Sequence, residues 1–191
     1  MVRITCYFDY TCSYSYRGWM WLERLRATGT ALDITWSSFV LKEVNRKEGE
    51  TSALVGDTIE SIAALALALG EALRGHDGWD RFHAATFEAM HAGEERPEED
   101  EVLGLAAAAG LDIDEFRRDQ AAWLATVRTS HLDAVERLGI FGTPTLVFDN
   151  DAAIYLKLQE LPTGDDRKLW DSVTTIGRSF PEVIELKRPR P

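Results

Sequence analysis

Residues 8–18, FDYTCSYSYRG, decide how the rest of the chain is read. They join two periodicities. Before them, Val2, Ile4, Cys6 and Phe8 alternate with Arg3, Thr5, Tyr7 and Asp9, the period of two of a strand with Cys6 on its apolar face. After them, Trp19, Leu22 and Leu25 recur at helical spacing, with Arg17, Glu23, Arg24 and Arg26 between. That spacing predicts a helix from about Ser13 to Thr28, closed by Gly29. Cys12 therefore falls between a strand end and a helix start. Further on, ALDITWS (31–37) alternates again, with Leu32, Ile34 and Trp36 on one face. Strand, helix, strand implies a parallel pair joined by a right-handed crossover.

No convincing strand follows from about Val44 to Arg128. Asp57 with Glu60 reads as a capping box opening a helix over 58–75. DGWDRFHAATFEAMHAG (77–93) predicts a second helix with Trp79, Phe82 and Met90 inward. A third, over 97–110, has Pro97 in its first turn and Gly110 at its end. Asp112 with Glu115 opens a fourth over 113–129. Ser130 with Asp133 is expected to cap a separate helix over 131–139. PTLVFDN (144–150) and AAIYLKLQ (152–159), separated by Asp149, Asn150 and Asp151, carry a hairpin signal. A closing helix is expected over 163–180, with Thr163 or Asp165 near its start, and an extended basic tail over 185–191. The reading is an α/β fold: residues 1–43 and 129–191 form a sheet-containing domain, and 44–128 a helical insertion after the second strand.

Composition narrows function. The chain has 191 residues, 45% of them apolar and 28% charged, ordinary globular usage. At this length it needs no staples, since roughly 70% of the unfolded surface is buried on folding. The net charge of −11 is the wrong sign for a phosphate-backbone binder, so nucleic acid is not expected as a partner. The acidic stretch GEERPEEDE (93–101) reads as a solvated loop and helix start. No run approaches the ~18 apolar residues of a membrane span, and no signal-peptide pattern opens the chain, so no membrane is expected and the cytoplasm is the expected compartment. Two cysteines are too few for a disulfide scaffold. No Cys/His cluster has zinc spacing, and His83 and His91 are rotated by roughly 80° on a helix, so no metal is expected.

The element order, with helices after the second strand, resembles the DsbA-like branch of the thioredoxin-like proteins. Two motifs carry the resemblance. Cys12-Ser13-Tyr14-Ser15-Tyr16 stands where that family has its Cys-x-x-Cys, and GIFGTPTLVF (139–148) contains Gly142-Thr143-Pro144-Thr145, similar to the family's cis-proline turn. The first motif is also similar to the Ser-Pro-Tyr-Ser-Tyr-like run of 2-hydroxychromene-2-carboxylate isomerases and kappa-class glutathione transferases. Ser15 and Tyr16 match that run, while Cys12 and Ser13 depart from it.

The resemblance implies a thiol–disulfide oxidoreductase with Cys12 as nucleophile. The residues agree: a sulfur at a helix N-terminus faces unpaired N–H groups and the positive dipole end, which favours its thiolate. Ser15, one turn on, is expected to donate a hydrogen bond to that thiolate, and it cannot form a disulfide. Cys6 is expected to be a packing thiol, up to ~20 Å from Cys12 along the strand and out of disulfide reach. Thr143 and Pro144 are implied, with Tyr14 from the motif itself, to bind substrate. Tyr10, Tyr14, Tyr16 and Trp19 either line a substrate groove or belong to the core. A Cys-x-x-Ser site begins disulfide exchange and needs a second molecule to finish it. Glutathione or another low-molecular-weight thiol, or a protein thiol, is the expected co-substrate, with no tightly bound cofactor. The alternatives are a glutathione-dependent isomerase or transferase, and a non-catalytic peptide-binding module.

Overall fold

The computed structural model describes residues 1–93 and 95–188. Four strands form one sheet: β1 (Val2–Phe8), β2 (Leu32–Ser38), β3 (Thr145–Phe148) and β4 (Ala153–Tyr155), in the order β2-β1-β3-β4. β1 pairs parallel with β2, with Cys6 opposite Trp36, and antiparallel with β3, with Cys6 opposite Leu146. β3 and β4 form the hairpin, and Asp151 at its turn has a left-handed φ of 59°. The last strand is shorter than the apolar run 152–159 predicts. Of the tail expected to be extended, residues 189–191 lie outside the described residues.

Helix α1 (Ser13–Ala27) crosses from β1 to β2 and packs with α7 (Asp166–Ser179). Trp21 of α1 and Trp170 of α7 meet at 6.1 Å between ring centroids, with Ile4, Cys6, Leu146 and Phe148 of the sheet in the same core. Alternation along β1 is interrupted because Tyr7 is buried too. It packs with Phe39, Ala134, Ile140 and Val147 on the other side.

Between β2 and β3 lie α2 (Leu41–Val44), α3 (Ile62–Ala72), α4 (Trp79–His91), α5 (Glu99–Ala108) and α6 (Ile113–Glu136). α3 is apolar almost all round because α4, α5 and α6 all pack on it. Phe8, at the end of β1, stitches these helices to the sheet. Its ring lies 4.9 Å from Tyr10, 5.7 Å from Trp36, 4.9 Å from His83 and 5.8 Å from Phe87. Among the described residues, no helix is long and apolar enough to cross a membrane.

Three helix starts differ from the sequence expectation. α3 is capped by Ser61, whose Oγ accepts the Ala64 N–H, not by the Asp57/Glu60 pair. Pro97 precedes the cap residue Glu98 of α5 and stays outside its first turn. Helix α6 is continuous from Ile113 to Glu136, so Ser130 caps nothing and the helix runs through position 129. The Ser130 Oγ instead donates to Ser38 O at 2.8 Å, a contact 92 residues away in sequence. Asp112 and Asp165 do cap, accepting the Glu115 and Lys168 N–H groups.

Histidine burial sets a pH dependence of stability. His83 is buried among aromatic rings, and burial, then the Arg74 charge, hold its pKa well below the usual value. Burial also lowers His91 and His131. Below about pH 6.5 the unfolded chain takes up protons on these groups that the folded chain does not. Stability is therefore greatest above that pH and falls as pH drops. Asp9, raised by burial, acts in the opposite sense nearer the carboxylate range. Urea denaturation between pH 7.5 and 5 is expected to show the loss, with up to about 1.4 kcal/mol per pH unit for each histidine that fully resists protonation. His83→Gln should flatten the slope; an unchanged slope would remove His83 from the explanation.

Candidate active site

Cys12 is the cap residue of α1, in extended conformation, and Tyr16 N–H donates to its carbonyl at 3.0 Å to close the first turn. Its side chain caps no helix N–H. The Cys12 Sγ–H instead donates to the Thr143 carbonyl at 3.4 Å, across 131 residues of sequence. The Thr143–Pro144 peptide bond is cis. Cys12, Thr143 and Pro144 thus come together. The Thr143 hydroxyl is buried in the same turn and has no hydrogen-bond partner among the described residues.

The turn is held from several sides. Thr145 Oγ1 donates to Gly142 O at 2.8 Å, and Leu156 N–H donates to Pro144 O at 3.0 Å. Gly18, in α1, lets the proline ring approach the helix. A Cβ there would lie 2.9 Å from Pro144 Cγ. Gly18→Ala is therefore expected to push the turn away from Cys12, at about 1–3 kcal/mol of stability, and to change the alkylation rate of Cys12 measured with iodoacetamide. An unchanged rate would mean that this contact does not position the turn.

Ser15 is only 1% exposed, and its Oγ accepts the Asp9 N–H at 3.4 Å. No hydrogen bond joins it to Cys12 among the described residues. Its expected partner, the thiolate, is replaced by the strand end. Asp9 itself is a site residue that the sequence reading passed over. Its carboxylate is fully buried and accepts three hydrogen bonds: from Thr11 N–H at 2.8 Å, Thr11 Oγ1 at 2.7 Å and Leu41 N–H at 2.8 Å. The D-x-T spacing is the available signal, since an Asp accepting the N–H two residues on makes an Asx turn.

The aromatic residues divide. Tyr10 is fully buried, its hydroxyl 2.9 Å from His83 Nδ1, so it belongs to the core. Tyr16 and Trp19 are half-buried. Tyr16 stacks on His91 at 5.0 Å and donates to Glu88 Oε2 at 3.0 Å, while His91 Nε2 lies 2.8 Å from Tyr10 O. Tyr14 is half-buried, with two cations over its ring, Arg17 at 4.8 Å and Lys157 at 4.3 Å. Beyond it stand Phe141, 68% exposed, and Tyr155, in edge contact at 5.1 Å. Burial raises the Tyr155 phenol, and the nearby Lys157 charge lowers it. Arg17, Phe141, Tyr155 and Lys157 were missed, because no local pattern marks them.

Cys6 is 1% exposed, and burial drives its thiol pKa strongly upward. Both cysteines are free. Pulsed alkylation of the native protein is expected to modify Cys12 at least tenfold faster than Cys6, read by peptide mass spectrometry. Faster labelling of Cys6 would overturn the assignment of the nucleophile. Among the described residues, no group of three His, Cys, Asp or Glu side chains is arranged to hold a metal ion.

Comparison with known proteins bears on the family and the fold. Residues 3–167 match the family model described as DSBA-like thioredoxin domain. An uncharacterized protein of Mycobacterium tuberculosis, Rv2286c, is 29% identical over 206 residues, covering 100% of this chain and 83% of the relative. A structure from Streptomyces coelicolor, described as a probable DsbA oxidoreductase, superposes with TM-score 0.65 at 18% identity, over 99% of this chain and 94% of that one. A thioredoxin-like oxidoreductase from Silicibacter pomeroyi gives 0.63 at 21% identity, over 91% and 84%. At these identities the structures speak to the fold.

Proposed function

The chain belongs to the DsbA-like thioredoxin domain family, and from that membership we propose that it is a monothiol thiol–disulfide oxidoreductase with Cys12 as its nucleophile. One observation carries the reading. The Cys12 sulfur, at the start of α1, lies 3.4 Å from the Thr143 carbonyl, and the position three residues on is a serine. The Cys12 thiol first loses its proton to solvent. The thiolate attacks one sulfur of a disulfide; a new S–S bond forms to Cys12, the old one breaks, and the other half leaves as a thiolate. With Ser15 unable to attack, an external thiolate attacks the attached sulfur and releases the Cys12 thiolate. The Thr143 carbonyl borders the sulfur, and in this reading Tyr14, Thr143 and Pro144 are the substrate contacts. Ser15 acts as a positioning residue through Asp9.

The co-substrate in this reading is glutathione or another low-molecular-weight thiol, or a protein thiol. A glutathione-dependent isomerase or transferase remains the second reading, favoured by Ser15-Tyr16 at its place in the motif. Intact mass after incubation with oxidised glutathione tests the proposal. The expected result is one added glutathionyl group, located at Cys12 and absent in Cys12→Ser. A protein that takes up no adduct at Cys12 while it turns over a glutathione-dependent isomerase substrate would hand the assignment to the second reading.

A further inference from the structure

The two cations over Tyr14 have no role in the chemistry described so far. Elsewhere the chain pairs arginines with carboxylates, as in Arg24–Asp166 and Arg74–Glu71. Arg17 and Lys157 form no ion pair among the described residues. Arg17 is held in place by neutral acceptors: its Nε donates to Leu158 O at 2.7 Å and its Nη2 to Ser13 Oγ at 3.3 Å, leaving Nη1 without a partner there. Lys157 is exposed, just past the edge strand β4, its Nζ 4.3 Å from the ring centroid. Two like charges on one ring repel each other, and the chain's excess of acidic residues offers neither a carboxylate here. A ring in contact with two cations helps to orient them without neutralising either. The ring belongs to the residue two after the nucleophile.

We propose that Tyr14, Arg17 and Lys157 form a clamp for the carboxylate of the co-substrate, so that Cys12 reacts preferentially with anionic small thiols and disulfides. This rests on the monothiol reading and adds a substrate class to it. The carboxylate bridges Arg17 Nη1 and the Lys157 ammonium while its own sulfur is at Cys12. The exposed Phe141–Tyr155 pair covers the apolar part of the molecule. Neutral thiols find no complement for the two charges. Screening by salt weakens the preference, because Lys157 is exposed.

The test uses alkylating agents that differ in charge and need no redox chemistry. Cys12 is titrated with iodoacetate and with iodoacetamide, and the ratio of the two rate constants is compared between wild type, Lys157→Gln, Arg17→Gln and a distant control, Lys47→Gln. Any change in thiolate fraction cancels in the ratio. The ratio is expected to fall roughly three- to tenfold in Lys157→Gln and Arg17→Gln, to stay constant in Lys47→Gln, and to fall in wild type with added salt. An unchanged ratio in Lys157→Gln, an exposed position that folding tolerates, overturns the clamp. A parallel arm measures Cys12 adducts with oxidised glutathione and with the uncharged bis(2-hydroxyethyl) disulfide. A wild-type preference for oxidised glutathione that disappears in Lys157→Gln supports the clamp. Equal adduct formation, equally unaffected by Lys157→Gln, overturns it and leaves the monothiol reading standing. No adduct with either disulfide, beside a charge-dependent alkylation ratio, overturns the monothiol reading and leaves the anion clamp standing.

Discussion

Ser15→Cys is expected to turn a protein that accumulates a glutathione adduct into one that closes an internal disulfide and reduces insulin. Position 15 lies in the first turn of α1, one helical turn from Cys12, and the Tyr16 N–H to Cys12 O bond shows that this turn is regular. A thiol there attacks a Cys12 mixed disulfide within the molecule. Well-oriented intramolecular groups reach effective molarities on the order of 10⁵ M or more, against millimolar external thiol. Even a small fraction of that advantage diverts the intermediate. Wild type treated with oxidised glutathione should hold one glutathionyl group at Cys12. The variant should lose two hydrogens in mass and gain at least tenfold in dithiol-dependent insulin reduction. The substitution also replaces the oxygen that accepts the Asp9 N–H with a weaker sulfur acceptor, so a stability loss of about 1 kcal/mol accompanies it. A variant that keeps a stable adduct and gains no reductase activity would refute the idea that Ser15 limits the chemistry. Ser15 would then belong with a glutathione-binding role of the isomerase or transferase kind.

Asp9→Ala is expected to be the most destabilising single change at the site, about 4 kcal/mol, and to blunt Cys12 reactivity as well. Burial pushes the Asp9 carboxyl up, and hydrogen bonds from Thr11 and Leu41 pull it back. Three donors face the carboxyl and offset part of the cost of its burial. Alanine leaves those part-buried donors without partners, at up to about 1–3 kcal/mol each before relaxation. Two of them, on Thr11, fix the residue just before Cys12. The third, Leu41 N–H, ties the same loop to the segment after β2. Asp9→Asn should fall between, since its amide oxygen can still serve Thr11 while its NH₂ faces a donor at Leu41. Urea denaturation gives the stability, and the Cys12 alkylation rate gives the loop position. If Asp9→Ala and wild type unfold at the same urea concentration, the three hydrogen bonds contribute nothing net, and the positioning role falls with them.

What the sequence determined by itself is local. β1 and α1 follow from a change of hydrophobic period at residues 8–13, and Cys12 sits at that change whatever the rest of the chain does. Cys6 is buried because alternation turns it inward beside Ile4 and Phe8. The layout of a sheet with helices after its second strand is also readable, since element order needs only periodicity and turn residues. Two of the three helix starts, at Asp57 and Ser130, were misread for one reason. A Ser or Asp with an acid three residues on signals a cap only if no better partner exists, and Ser130 found Ser38 O across the fold. Alternation in β1 failed at Tyr7 because α6 covers the second face. The rest of the site is tertiary. Ser15 meets Asp9 and not Cys12; Asp9 reaches Leu41, 32 residues on; Lys157 lies over Tyr14 because the β3–β4 hairpin returns beside α1. Such contacts depend on where separate elements dock, to within an ångström or two, and no spacing along the chain encodes that distance. Thus the cysteine at the helix start was legible from eleven residues, while the groups around it, and the cations over Tyr14, were decided only when the sheet, α1 and the helices between β2 and β3 packed together.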